Sequence, residues 1–292
     1  MNRALICTNQ KRDVDLSVSR SLAQILLSNG IQPYADNGLA KAIGALPMSR
    51  SAKPDMAFVL GGDGTILRAV HSLSRRGIPL LGVHMGKLGF LTEVLPKELD
   101  MAVKALLEGQ YDIEERGLLR GTAFGPDGQP KGRSLLALNE LALLRASMNG
   151  LLQVGVKVNG QLLGAYGGDG LMIATPTGST AYSLSAGGPI VEPSVACMLI
   201  TPICAHTLHA RPVIVPDDVQ IELWPQMPDE NALVYADGQN ARKIAYGDCV
   251  NIQKADYTAK FIRLRSVCFF AQWHEKLSEW NRPMVSGEEE LA

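Results

Sequence analysis

The sequence predicts two units, an α/β unit built on a parallel sheet followed by an all-β, sandwich-like unit. Three observations predict this. Short apolar runs without polar alternation, separated by helical spacing, fill the first third, as in parallel sheets covered on both faces. Beyond about residue 115 the runs alternate in polarity and are bounded by turn signals. The length, 292 residues, is about two domains' worth.

In order, Ala4 to Cys7 reads as a buried strand. Leu16, Ser19, Leu22, Ile25 and Leu26 put a mostly apolar stripe on a helix that ends at Asn29-Gly30. Met56 to Leu60 is a second strand, followed by Gly61-Gly62-Asp63-Gly64 and a helix carrying Ile66, Leu67, Val70 and Leu73. Ile78 to Val83 is a third strand, and Pro96 opens a helix over Leu99, Val103, Leu106 and Leu107 that Gly109 stops. These pieces assemble as a Rossmann-like, three-layer unit over residues 1–114. A C-terminal helix, 268–292, is expected to complete it, from the spacing of Trp273, Leu277 and Trp280. The β-rich unit is assigned 115–267. Its turns are Gly125-Pro126-Asp127-Gly128, Asn159-Gly160, Pro216-Asp217-Asp218, Asp237-Gly238 and Gly247-Asp248. Val154, Val156 and Val158 alternate with polar or small residues, as do Val219, Ile221 and Leu223.

Composition narrows the function. Lys plus Arg is 28 and Asp plus Glu 29, a formal net charge of −1, which argues against bulk electrostatic binding to nucleic acid or an anionic membrane. The five cysteines, Cys7, Cys197, Cys204, Cys249 and Cys268, form no C-x-x-C pair, so reduced thiols are expected. The N-terminal apolar run is too short for a signal-peptide core, and Gly170 to Val191 is too rich in Gly, Ser, Thr and Pro for a membrane span. A cytoplasmic location is expected.

Two constellations carry chemistry. In the first, glycines between a strand and a helix let the backbone approach a phosphate, and the helix offers unpaired N–H groups. Asp63 at that turn could take a proton, orient a hydroxyl or help hold magnesium, with Arg68 one turn on; it could equally be a helix cap. Neither a Walker A loop nor a G-x-G-x-x-G fingerprint is present: Leu81 and Leu88 break the first around Gly86-Lys87, and Leu67 breaks the second. The second constellation is Asp169 to Pro189, inside a stretch from Gly170 to Ala210 whose only charge is Glu192. Its hydroxyls suit ribose and phosphate, and Tyr182 can stack on a base; a Ser/Thr-rich turn capping a helix is the alternative. Asn139-Glu140 sits as a polar pair inside the apolar run Leu135 to Leu144. His71, His84, His206, His209 and His274 show no metal-ligand spacing, and no metal-ligating residue is assigned.

With Gly61-Gly62-Asp63-Gly64-Thr65, Leu88-Gly89-Phe90-Leu91, Asn139-Glu140, the block Asp169 to Pro189, and His206-Thr207-Leu208 leading to Arg211-Pro212, the sequence resembles the NAD kinases. That family phosphorylates the 2′-hydroxyl of the adenosine ribose of NAD to give NADP. The glycine turn alone is shared with diacylglycerol and sphingosine kinases; the Thr175 to Tyr182 block is more specific. The resemblance implies that Asp63 contacts the 2′-hydroxyl as proton acceptor, with Gly64 beside it and Arg68 near phosphate. It implies that Asn139 and Glu140 bond a ribose and that Gly167 and Asp169 face the nicotinamide end. Thr177, Thr180, Ala181, Tyr182, Ser183, Ser185 and Gln239 would line the nucleotide. It further implies ATP or polyphosphate as donor, a divalent metal ion such as Mg²⁺, and a homodimer or homotetramer. Two departures stand out: Gly82-Val83-His84 replaces Gly-Ile-Asn, and Gly167 replaces a basic residue, so NADH is expected to be accepted as well as NAD. A lipid kinase and a non-enzymatic NAD sensor are the alternatives.

Overall fold

The computed structural model describes residues 1–49, 52–86, 89–147, 150–207, 209–228, 231–265, 269–271 and 273–274. The first unit runs β1 (Arg3–Thr8), α1 (Ser17–Ser28), β2 (Gln32–Ala35), α2 (Asn37–Ile43), β3 (Leu46–Pro47), β4 (Met56–Gly61), α3 (Asp63–Leu73), β5 (Leu80–His84), α4 (Leu99–Leu107) and β6 (Asp112–Arg116). β1, β4 and β5 are apolar on both faces because helices cover both sides. Phe58 and Leu60 of β4 pack with α1, α2 and α4, whereas Ala57 and Val59 pack with Ile66, Val70 and Leu73 of α3.

The second unit continues with β7 (Leu119–Phe124), β8 (Leu135–Ala137), β9 (Glu140–Arg145), β10 (Leu152–Val158), β11 (Gln161–Gly168), β12 (Gly170–Ala174), the single turn α5 (Tyr182–Ser185), β13 (Cys197–Ile203), β14 (Val213–Pro216), β15 (Ile221–Pro225), β16 (Ala232–Ala236), β17 (Gln239–Ile244) and β18 (Cys249–Lys254). β19 (Ala259–Arg263) follows. Two antiparallel six-stranded sheets, β11-β10-β15-β18-β7-β8 and β14-β13-β12-β9-β16-β17, face each other. Leu141, Leu143, Leu171 and Ile173 of one sheet meet Val154, Val156, Leu223 and Ile252 of the other. The hairpins fall at the expected Asn159-Gly160 and Asp237-Gly238, where both residues of each pair take the left-handed conformation that such turns require.

Two expectations change. The first sheet has order β3-β2-β1-β4-β5-β19-β6, so the chain returns to it at Ala259–Arg263, inside the stretch assigned to the second unit. β19 lies parallel to β5 and antiparallel to β6, and the short Ala-Lys-Phe-Ile-Arg pattern looks like any sandwich strand. The helix expected over 268–292 lies almost wholly outside the described residues. Leu135 to Leu144 is not one strand: β8 belongs to one sheet of the sandwich and β9 to the other, and Leu138-Asn139 is the corner between them.

Phe58 is fully buried at the centre of the first sheet. Phe58→Ala should cost about 3–5 kcal/mol, read as a lower urea midpoint; an unchanged midpoint would show that this strand is not part of the cooperative core.

Candidate functional site

At the end of β4 the chain turns through Gly61-Gly62 into α3, whose first residue is Asp63. The cap position is Gly62, and no side chain caps this helix. Asp63 is therefore not a helix cap. Its carboxylate instead accepts the N–H of Phe90 at 2.8 Å and of Leu91 at 3.2 Å. Gly89 makes this possible, since a Cβ there would lie 2.0 Å from Asp63 Oδ1. Two N–H groups fix the carboxylate and leave it lone pairs for a further donor. Gly64 and Arg68 are exposed beside it, and the Arg68 guanidinium donates to Thr65 Oγ1 at 3.3 Å.

The second corner is organised by a residue that sequence reasoning placed only in a turn. Asp237 opens the β16–β17 turn with a left-handed φ of 49°, and its side chain has no exposure. Its carboxylate accepts N–H from Leu138 at 2.9 Å, Asn139 at 2.8 Å and Glu140 at 3.2 Å. It also accepts His71 Nε2–H at 2.7 Å. His71 lies on α3, eight residues or about two turns after Asp63. One helix thus carries Asp63 at its start and grips the Asn139–Glu140 corner near its end. Glu140 itself is buried, and among the described residues its Oε2 has no hydrogen-bond partner. Burial first, and the Asp237 charge second, push its carboxyl up to about 8.

The loop from Thr175 to Ser185 satisfies much of its own hydrogen bonding. Thr175 Oγ1 donates to Leu138 O at 2.6 Å and accepts Gly178 N–H at 3.0 Å. Ser179 Oγ bonds both backbone groups of Val191, and Ser183 Oγ shares a hydrogen bond with Thr201 Oγ1 at 2.9 Å. Arg116 Nη1 donates to Thr177 Oγ1 at 3.2 Å. Thr177 and Ser183 are buried, with their hydroxyls bonded to Arg116 and Thr201. Thr180 and Ala181 are half-buried, and Tyr182 and Ser185 are exposed. The loop packs on the Asn139 corner because residue 178 is glycine: a Cβ there would lie 2.1 Å from Asn139 O. The absence of charge follows too, since the neutral stretch contains β12 and β13, both buried throughout.

Asp169 joins β11 to β12. The Arg145 guanidinium on β9 pairs with it at 3.0 Å. Gly167 is buried, and a Cβ there would meet the Gln153 side chain at 2.6 Å. A positive charge therefore stands beside Asp169 although position 167 has none. Partial burial raises the Tyr182 phenol above its ordinary value, as do the nearby Cys204 thiol and the Asp169 and Glu140 carboxylates. A cavity of about 380 Å³ is lined by Ala186, Cys204, Thr207, Arg211 and Pro212 among others. Gln239, half-buried, pairs with Ala236 across the Asp237-Gly238 turn. His84 is buried on β5 beside Gly61, and among the described residues its Nδ1 has no hydrogen-bond partner.

Among the described residues no three His, Cys, Asp or Glu side chains gather as metal ligands. Of the predicted residues, the structure places Asn139 and Glu140 at one end of the β9–β12 pair and Asp169 at the other, with Tyr182 close enough for both carboxylates to act on its phenol. His71 and Asp237 tie the Asn139–Glu140 corner to the helix of Asp63, Gly64 and Arg68. His71 and Asp237 were missed as functional residues; the one signal was an Asp, rather than Asn, opening a tight turn.

A parallel sheet with a glycine turn, joined to a sandwich with a polar corner, is an arrangement that can hold a phosphate at a helix N-terminus beside hydrogen-bonding groups. Sequence models of the ATP-NAD kinase N-terminal and C-terminal domains match residues 4–111 and 138–264. The NAD kinase of Caldanaerobacter subterraneus subsp. tengcongensis is 37% identical over 285 residues, 96% of this chain and all of that protein. That of Moorella thermoacetica is 42% identical over 220 residues, 75% and 70% of the two chains. Among solved structures, an NAD kinase from Archaeoglobus fulgidus in complex with ATP aligns with TM-score 0.73 and 27% identity, covering 94% of this chain and 98% of that one. Yeast NADH kinase complexed with NADH shares the fold at TM-score 0.87 and 23% identity, covering 98% and 90%. The chain belongs to the NAD kinase family, and it is a transferase.

Because the Glu140 carboxyl is raised in the folded protein, the fold holds a proton between about pH 4.5 and 8 that the unfolded chain has released. Stability from this group is complete below that window and is lost as pH rises through it, with a slope of up to about 1.4 kcal/mol per pH unit. Glu140→Gln should flatten the fall in urea midpoint between pH 5 and 8; an equally steep fall in the variant would contradict this.

Proposed function

We propose that this chain transfers the terminal phosphoryl group of ATP to the 2′-hydroxyl of the adenosine ribose of NAD, giving NADP. The observation that carries the reading is the Asp63 carboxylate, fixed by two backbone N–H groups at the mouth of a glycine turn with lone pairs to spare. The NAD named in its relatives would lie along the Asn139–Glu140 corner, where the unpartnered Glu140 Oε2 and the Asn139 side chain meet ribose hydroxyls. Tyr182 would cover the base, with Thr180, Ala181, Ser185 and Gln239 around it and Asp169 toward the nicotinamide. Asp63 accepts the proton of the attacking hydroxyl while Arg68 and the N–H groups of α3 face the phosphates. Phosphoryl transfer needs alignment and charge neutralisation more than covalent help. A divalent ion such as Mg²⁺, held by the donor phosphates with Asp63 the nearest carboxylate to the turn, would supply part of that neutralisation.

Polyphosphate remains a second donor of the same chemistry. Neither a lipid kinase nor a non-catalytic sensor is supported by the family to which the chain belongs. Cys7, Cys197, Cys204 and Cys249 are unpaired, which supports a reducing, cytoplasmic setting, and among the described residues no helix is long and apolar enough to cross a membrane. Leu162, Leu163 and Ile214 are exposed on the edge strands β11 and β14, which supports self-association as a homodimer or homotetramer.

Asp63→Asn should lower kcat for NADP formation by about 10²–10⁴ with KM for NAD within a few-fold, read by coupling to an NADP-specific dehydrogenase. Near-normal kcat would leave Asp63 only the role of holding residues 89–91.

A further inference from the structure

We propose that Arg12 grips the phosphate chain of the donor across the glycine turn, as a binding residue for the reaction proposed above, on which this inference rests. The place is set by topology. From β1 the chain crosses to β2 on one side of the sheet, and from β4 it crosses to β5 on the other. The crevice outside the carboxyl ends of β1 and β4 is where open α/β sheets take ligands. Residues 9–13 leave β1 at that edge, and their conformation is tightly fixed. Asn9 N–H donates to Leu60 O at 2.9 Å, tying the loop to the end of β4. Asn9 O then accepts the N–H of Arg12 at 2.8 Å and of Asp13 at 3.0 Å. Asp13, almost fully buried, accepts the backbone N–H of Val18 and Ser19 at the start of α1.

This frame sends the Arg12 side chain across the turn. Nη1 donates to Met85 O at 2.6 Å. A Cβ on Gly62 would lie 3.2 Å from Nη1, and one on Gly86 would lie 3.0 Å from it. The guanidinium therefore rests over two residues without side chains, at the ends of adjacent strands and beside the helix that Asp63 begins. Arg68 bonds Thr65 on that same helix, and Asn9 Nδ2 reaches the same Thr65 Oγ1 at 3.4 Å. Two guanidinium groups thus bracket the turn.

Among the described residues Arg12, like Arg68, stands apart from the arginines that carboxylates neutralise. Arg263 is neutralised by Glu93 and Glu114, Arg120 by Asp256 and Arg265 by Glu98. Among the described residues no carboxylate pairs with Arg12, which is exposed and spends one N–H on a carbonyl. An exposed, positioned guanidinium with donors to spare, over a glycine turn, suits the bidentate geometry of phosphate oxygens. It also sits where charge gathers as a phosphoryl group transfers. Sequence reading passed over it because Lys11-Arg12-Asp13 looks like a solvated charge run.

The test is initial-rate kinetics of Arg12→Ala and Arg12→Lys with ATP and NAD varied separately, beside calorimetric binding of ATP. For Arg12→Ala the expected result is KM for ATP raised at least ten-fold with KM for NAD within two-fold. Arg12→Lys, which keeps the charge but not the fork, should fall between. KM for ATP within two-fold of the unaltered protein in Arg12→Ala, or both KM values rising together, would overturn the proposal. Should Arg12→Ala not fold, Arg12→Lys decides it by the same split between the two KM values. Absence of NADP formation by the unaltered protein would refute the reaction instead; calorimetry would then decide the Arg12 claim, with ATP affinity reduced at least ten-fold supporting it and unchanged affinity refuting it.

Discussion

One carboxylate, that of Asp237, holds the two halves of the site in register. It takes three backbone N–H groups from the corner at 138–140 and the ring N–H of His71 from the helix that starts with Asp63. A buried carboxylate is tolerable only when so fully hydrogen-bonded, and here the bonds come from both units. The corner bearing Asn139 and Glu140 cannot turn, and α3 cannot slide along its axis, without breaking a charge-assisted bond in the interior. Arg116 adds a second link at the seam, with one end of its guanidinium on Glu114 and another on Thr177 of the neutral loop.

Against this satisfied carboxylate, Glu140 is the opposite case a few ångströms away. It is buried with an oxygen that has no hydrogen-bond partner among the described residues, and Asp237 adds like charge. Such an arrangement works against stability. The same logic separates the hydroxyls of the neutral loop. Thr175, Ser179 and Ser183 are spent on the protein itself and make the loop stiff. Tyr182 and Ser185 of the same loop are left exposed.

Much of the fold was legible in the sequence, because burial on both faces leaves strands such as Met56–Gly61 with no polar residue and sandwich strands with clear alternation. What could not be read was long-range placement. Ala259–Arg263 carries nothing that distinguishes a strand of the first sheet from one of the sandwich. Leu135 to Leu144 gives no sign that the chain changes sheets at Asn139, although the polar pair marked the spot. Asp63, Asn139, Glu140 and Asp169 were visible as polar groups in apolar or glycine-rich surroundings. His71 and Asp237 were not, because a histidine on a helix and an aspartate in a hairpin turn are ordinary until 166 residues of sequence separation close to 2.7 Å.

The most direct measurement of this account is a double-mutant cycle between His71→Ala and Asp237→Asn, read in kcat for NADP formation under saturating ATP and NAD. If the pair aligns the acceptor corner with the Asp63 helix, each single variant loses kcat and the double loses little more, giving a coupling of about 1 kcal/mol or greater. Independent losses that simply add, or unchanged kcat in the folded single variants, would show that the two halves of the site are held together by something other than this bond.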